Sequence, residues 1–413
     1  MTTPNERLTR YRWLILAVIC LINLCAGSIY AWSVLAAATA SHFTALLGTP
    51  VTAGDLSVAF GVANAVGPIP MILGGAVNDR FGPRAVIMTG GLLIGFGLIA
   101  CGLASSPSMV TIAYGGLYGL GLGMTYGACI TTAIRYFPDR RGLAGGIVTA
   151  AYGMSSVLVP PVAQLLIDSV GIMNTFTVLG CVFGVVIVAG GLACRRCPPD
   201  FVPSGMQATG GRRAFEGDSW REMLLSPIFY PMLVLLLCGA ISGMMIISQA
   251  ASIARGTVGM TAGAAAAAVS VIALFNMAGR LTAGMLSDRF GRLGVLMGAL
   301  ILSSCGLCVL MLVGQGDDAL FYLGCVLIGM SFGAFMAIYP GFTADRFGTA
   351  HASVNYGIMF CGFAAAGFFG PTLMRGMQAA GFDFMSCCAV GLLFCAVGML
   401  TTVVYQYMAM GRH

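Results

Sequence analysis

Long uncharged stretches constrain this chain more than any other feature. Twelve of them can be read off, at roughly 13–38, 56–78, 85–104, 109–134, 142–167, 172–194, 228–252, 258–287, 293–314, 319–343, 349–374 and 384–408. A helix needs about 20 apolar residues to cross a hydrocarbon core about 30 Å thick. Soluble helices keep a polar face, which these runs mostly lack. No period-two alternation points to a membrane barrel. Only 8% of the 413 residues are charged, against roughly 25% in a soluble domain, so a soluble globular enzyme is excluded. The first run is too long for the apolar part of a signal peptide and is kept as a span. The expected fold is an all-α membrane protein with twelve transmembrane helices. The fifteen cysteines fall mainly inside the apolar runs and read as small hydrophobes, with no metal set expected among them.

All 20 basic residues are Arg, and their placement gives an orientation. One set of loops holds 17 of them: Arg7, Arg10, Arg12, Arg80, Arg84, Arg135, Arg140, Arg141, Arg195, Arg196, Arg212, Arg213, Arg221, Arg289, Arg292, Arg346 and Arg412. The opposite set holds Arg255 and Arg375. Positive charge stays on the cytoplasmic side, so both termini are expected there, with an inner-membrane location. The net charge of +6 therefore reads as membrane orientation and not as nucleic-acid binding.

The longest polar stretch, 195–226, divides the chain into a half at 1–194 and a half at 227–413, each with six spans. Its end, around Ser219 to Leu225, is expected to form a short interfacial helix. The halves repeat. Gly75-Ala-Val-Asn-Asp79-Arg80-Phe81-Gly82-Pro83-Arg84 follows the second span, and Gly284-Met-Leu-Ser-Asp288-Arg289-Phe290-Gly291-Arg292 follows the eighth, 209 residues later. A weaker echo relates Phe137-Pro-Asp139-Arg140 to Phe342-Thr-Ala-Asp345-Arg346. Recurrence at the same place in each half is the mark of internal duplication.

These loops resemble the signature of the major facilitator superfamily. The resemblance implies two pseudo-symmetric six-helix halves that rock about a site near the bilayer midplane. Asp79 and Asp288 are suited to accept hydrogen bonds at neighbouring helix N-termini and to pair with Arg, forming a cytoplasmic gate with Arg80, Arg84, Arg289 and Arg292. Glycines such as Gly119, Gly121, Gly123, Gly142, Gly145 and Gly146 suit close helix packing. Pro68, Pro70, Pro160, Pro161, Pro340 and Pro371 stand where spans can kink.

One charge reads as deep inside a span: Arg280, in Phe275-Asn276-Met-Ala-Gly279-Arg280-Leu-Thr-Ala-Gly284. It precedes Asp288 by eight residues, about 12 Å of helix. Placing Arg there costs about 2.5–3.5 kcal/mol on insertion scales. Every Asp and Glu reads as loop or span end, so the partner expected for Arg280 is an anionic substrate. A guanidinium binds a carboxylate through two parallel hydrogen bonds and keeps its charge. Tyr30, Tyr126, Tyr152, Phe332 and Phe360 lie on spans of both halves and suit the walls of a small site, with Asn276 one turn before Arg280.

Ala-Gly-x-x-Tyr30-Ala-Trp32-Ser, Arg135-Tyr-Phe-Pro-Asp-Arg-Arg-Gly-Leu-Ala, Ala-Tyr152-Gly, Gly-Arg280 and Asn355-Tyr356-Gly357 further resemble the oxalate:formate antiporter family and its monocarboxylate-carrying relatives. That resemblance implies that Arg280 holds the substrate carboxylate and that Tyr30, Tyr126 and Tyr152 line the pocket. Asn64 falls where oxalate carriers have a polar amide. Oxalate carriers also have a Lys eight residues after the Asn of Asn-Tyr-Gly, whereas this chain has Phe363. The expected cargo is thus a small monocarboxylate of the lactate, pyruvate or formate type, carried by alternating access with proton coupling or anion exchange. Oxalate/formate or dicarboxylate exchange is the alternative, and a carboxylate sensor without flux is another. His351 and Asp55 are the coupling candidates, with Asp345 also at a span end. No catalysis, metal, cofactor or nucleic-acid partner is expected. The chain is read as a monomer in the lipid bilayer.

Overall fold

The computed structural model describes residues 4–199, 201–203 and 217–410. Arg212, Arg213 and Arg412 lie outside them, as do residues 200 and 204–216 of the central polar stretch. Among the described residues, twelve helices are long and apolar enough to cross a membrane: α1 Asn5–Leu47, α2 Ser57–Phe81, α3 Pro83–Gly102, α4 Pro107–Tyr136, α5 Arg141–Val170, α6 Ile172–Ala193, α7 Phe229–Ile247, α8 Ala262–Phe290, α9 Arg292–Met311, α10 Asp318–Phe347, α11 Ala352–Ala379 and α12 Phe384–Met410. Ser219 caps a short helix, Trp220–Leu225, in a capping box with Glu222.

The largest departure from the expected boundaries is α1, which runs past its apolar stretch to Leu47. A 3₁₀ segment, Gly27–Ala31, interrupts it, and Gly48 ends it at φ +67°. The seventh span is shorter than the expected 228–252, because Ser248 and Gln249 turn the chain after Ile247. The repeated motif explains how α2 and α8 stop. Gly82 and Gly291 follow Asp-Arg-Phe in each repeat with φ of +91° and +83°, a conformation that other residues rarely adopt. Pro83 then opens α3 at the first helical position, where a missing N–H costs nothing. Pro160, Pro161, Pro340 and Pro371 sit inside continuous helices.

The chain divides into two compact units. The first comprises 1–139, 151–217 and 347–358. It thus contains α1–α4, most of α5, α6 and the first turns of α11. Small residues set its packing: Gly95 lies against Gly180 and Gly184, so α3 and α6 approach almost backbone to backbone. The second unit comprises 140–150, 218–346 and 359–413, and therefore takes the first turns of α5. Its core includes Ile241, Met245, Ile272, Leu307, Phe321 and Phe332, with Cys387, Cys388 and Cys395 packed among them.

Candidate functional site

Arg280 lies on α8 in the second unit and is 2% exposed. Its Nε donates to Asn276 Oδ1 at 3.0 Å, one helical turn earlier. A terminal nitrogen donates to the backbone oxygen of Thr149 on α5 at 2.5 Å. Both partners are neutral, and no ion pair among the described residues includes Arg280. This proximity depends on Gly146, because a Cβ there would stand 2.5 Å from the Arg280 carbonyl oxygen. The Gly-x-x-Gly-Gly run of α5 thereby brings a backbone acceptor within reach of a buried cation.

Each unit holds a packed set of the aromatic candidates. In the first unit, Tyr152 packs against Tyr30 at 5.4 Å between ring centroids and against Tyr126 at 4.9 Å. Tyr30 sits on the 3₁₀ segment of α1 and is half-exposed, whereas Tyr126 is buried. In the second unit, Phe363 packs against Phe332 at 5.8 Å and Phe360 at 5.0 Å. Asn64 does not join the tyrosines. It is exposed and donates to the carbonyl of Phe60 in its own helix.

Beside the tyrosines lies a group that sequence reasoning missed. Tyr118 donates to the carbonyl of Ala26 at 3.2 Å, so the Ser28 hydroxyl, 3.0 Å from the Tyr118 hydroxyl oxygen, is the donor of that second bond. These bonds hold the chain where α1 enters its 3₁₀ segment. Tyr114 stacks on Tyr118 at 4.5 Å and meets Trp32 at 4.1 Å. The i, i+4 spacing of Tyr114 and Tyr118 was visible in the sequence. Both lie in the π-helical stretch Thr111–Tyr118, which carries no such mark.

The repeated acidic motif builds one cluster in each unit. In the first, Asp79 pairs with Arg135 at 2.5 Å and accepts the backbone N–H groups of Ser353 and Val354, each at 3.2 Å, from the start of α11. Asn78 donates to Thr131 and Ser353 alongside. In the second, Asp288 accepts the N–H groups of Gly142 and Leu143, each at 2.8 Å, from the start of α5. Arg292 bridges Asp288 and Asp345 at 2.7 and 2.8 Å, and Arg141 also reaches Asp345. Helix N-termini favour such anionic side chains.

Not every Arg of the motif joins its cluster. Arg80 and Arg289 lie over Phe81 and Phe290, their own neighbours in sequence. Arg84 donates to the carbonyl of Leu192. Arg135 was counted only as a loop charge, yet it is 8% exposed; Arg12, 6% exposed, makes a two-pronged pair with Asp139 at 2.5 and 3.0 Å. Arg280 is therefore not the sole buried arginine. It differs from these two in having no carboxylate.

The coupling candidates Asp55 and His351 are both exposed. Asp55 is exposed, and its carboxylate accepts the N–H and hydroxyl of Thr52, both at 2.8 Å. Those bonds, the backbone one first, hold its carboxyl below the ordinary range, so it remains ionised at neutral pH. His351 is exposed at the start of α11.

Two Cys-x-x-Cys spacings also escaped the sequence reading: Cys194-Arg-Arg-Cys197 and Cys305-Gly-Leu-Cys308. Burial pushes Cys194 and Cys197 up to about 12, so their thiols stay protonated near neutral pH. No group of residues suited to a metal occurs among the described residues.

Twelve helices of spanning length among the described residues and an internally duplicated acidic motif mark an integral membrane protein built from a repeat. The family model of the Major Facilitator Superfamily matches residues 11–371, and the chain belongs to that family. It is 28% identical over 364 residues to the oxalate:formate antiporter of Oxalobacter formigenes, covering 88% of this chain and 84% of the relative. It is 27% identical over 316 residues to monocarboxylate transporter 12 of Rattus norvegicus, covering 70% and 64%. The solved structure of the proton:xylose symporter XylE shares the fold, with a TM-score of 0.74, 15% identity and 95% of each chain covered.

Proposed function

We propose that this transporter carries a small monocarboxylate of the lactate, pyruvate or formate type by alternating access. Arg280 carries the proposal: it is buried, and among the described residues its guanidinium is held by the neutral groups of Asn276 and Thr149. A guanidinium has five N–H donors, so it retains capacity for a two-pronged bond to a carboxylate. One fixed cation matches one negative charge. The tyrosines Tyr30, Tyr126 and Tyr152 orient the anion through their hydroxyls, and Phe332, Phe360 and Phe363 supply apolar wall. The clusters at Asp79 and Asp288 act as gate latches that form and release during the cycle. The arginine distribution supports a cytoplasmic position for both termini in an inner membrane. Coupling is to a proton carried with the acid or to counter-transport of a second anion.

Oxalate/formate exchange is the second reading, favoured by the similarity to the Oxalobacter formigenes antiporter. Phe363 weighs against it, because a dicarboxylate suits two cations and this position provides none. Uptake of labelled lactate, pyruvate, formate and oxalate into proteoliposomes, with and without a pH gradient, separates the readings. Monocarboxylate uptake is expected. Strong oxalate exchange without it would transfer the assignment to the second reading.

A further inference from the structure

A cavity of about 550 Å³ opens in the first unit where α1 begins and α4 and α6 end. Arg7, Leu8, Tyr11, Tyr136, Arg195, Arg196 and Pro198 line it. Three of these residues are cationic, two carry phenolic hydroxyls and none is acidic. The carboxylates on neighbouring span ends are committed elsewhere: Asp79 to Arg135 and Asp139 to Arg12. Glu6 precedes Arg7 on α1 but does not line the cavity.

The arginines have distinct tasks. Arg196 donates to the carbonyls of Arg80 and Asp79 at 3.1 and 3.3 Å, which fixes the chain leaving α6 against the end of α2. Tyr136 donates to the carbonyl of Arg195 at 3.2 Å and so fixes the backbone of the next residue of that wall. The Arg195 side chain is exposed and has neither hydrogen bond nor ion pair among the described residues. A free guanidinium is thus presented on an anchored backbone, beside two further cations. Leu8 supplies an apolar edge. Trp13, on the next turns of α1, is 43% exposed, as is common at the headgroup level of a bilayer.

We propose that this cavity binds a phosphate-bearing anion, with Arg195 as the principal ligand and Arg7 and Tyr11 completing the cradle. Planar guanidinium groups match phosphate oxygens in paired hydrogen bonds. Basic recesses at the ends of membrane helices suit anionic headgroups. The same chemistry serves a phospholipid headgroup or a soluble phosphate ester. Arg280 is not among the lining residues, and the proposal does not depend on the cargo.

The test uses the purified full chain, thermal unfolding as readout, and phosphatidylglycerol, phosphatidylcholine and glycerol 3-phosphate as probes. Phosphatidylglycerol is expected to raise the unfolding temperature above the level reached with phosphatidylcholine, and Arg195→Gln to weaken that response about tenfold in ligand concentration. Arg7→Gln is the second variant. Arg10→Gln, which removes an equal charge from an exposed residue outside the cavity, is expected to retain the response. If glycerol 3-phosphate reproduces it with the same variant pattern, the site stands and its source is soluble. Equal responses to the two lipids with none to glycerol 3-phosphate, or equal losses in Arg195→Gln and Arg10→Gln, would overturn the proposal.

Discussion

Arg135 and Arg280 are both buried arginines on spanning helices, and they are held in opposite ways. Arg135 faces the carboxylate of Asp79 and the carbonyls of Thr349 and Ala350. Arg280 faces an amide oxygen and one carbonyl. The first arrangement is charge-balanced as it stands. The second leaves a full positive charge compensated only by dipoles, which a fold tolerates at a cost and a ligand can relieve. Burial of an arginine is therefore uninformative by itself; what matters is whether the chain supplies the counter-charge.

That contrast can be broken most strongly at Arg135. Arg135→Gln strands the buried Asp79 carboxylate and is expected to destabilise the protein by about 3 kcal/mol, measured by thermal or chemical unfolding. The double variant Asp79→Asn/Arg135→Gln should recover part of that loss. Arg280→Gln removes a charge that had no carboxylate and should change stability of the ligand-free protein by less than about 1 kcal/mol. Equal losses at the two positions would erase the distinction.

The comparison sharpens with Phe363→Lys, which adds the second cation that Arg280 lacks. Dicarboxylate uptake should appear in the variant, and monocarboxylate affinity should fall about tenfold, read from the concentration dependence of transport. The smallest effect is expected at Asp55. Its carboxyl is held below its unfolded value, so its contribution to stability is present above the unfolded pKa and is lost as pH falls through the lower folded value. Asp55→Asn should leave the pH dependence of uptake near neutrality unchanged. A shifted profile would identify Asp55 as a coupling group.

The sequence made some of this account legible and hid other parts for physical reasons. Twelve spans were readable because an uncharged run of bilayer length has few alternatives. The stops at Gly82 and Gly291 were carried by the repeated Asp-Arg-Phe-Gly. Arg280 stood out because no acidic residue lay in the apolar runs. Arg12 and Arg135 did not, because counting arginines at span ends cannot separate a solvated one from one folded onto a carboxylate. The contacts of Asp79 with Ser353 and Val354 join residues more than 270 positions apart, and no local pattern encodes them. Tyr118 became visible as an anchor only once the 3₁₀ segment of α1 and the π-helical stretch of α4 were placed together.

The central claim is that Arg280 awaits the carboxylate of the cargo. Its most direct test is ligand-induced thermal stabilisation of the purified protein by lactate, pyruvate and formate, compared with Arg280→Gln. The wild-type protein should be stabilised by at least one of them in a concentration-dependent way, and the variant, folded and equally stable without ligand, should show no response. Undiminished stabilisation of Arg280→Gln would contradict the account and leave Arg280 as a structural residue.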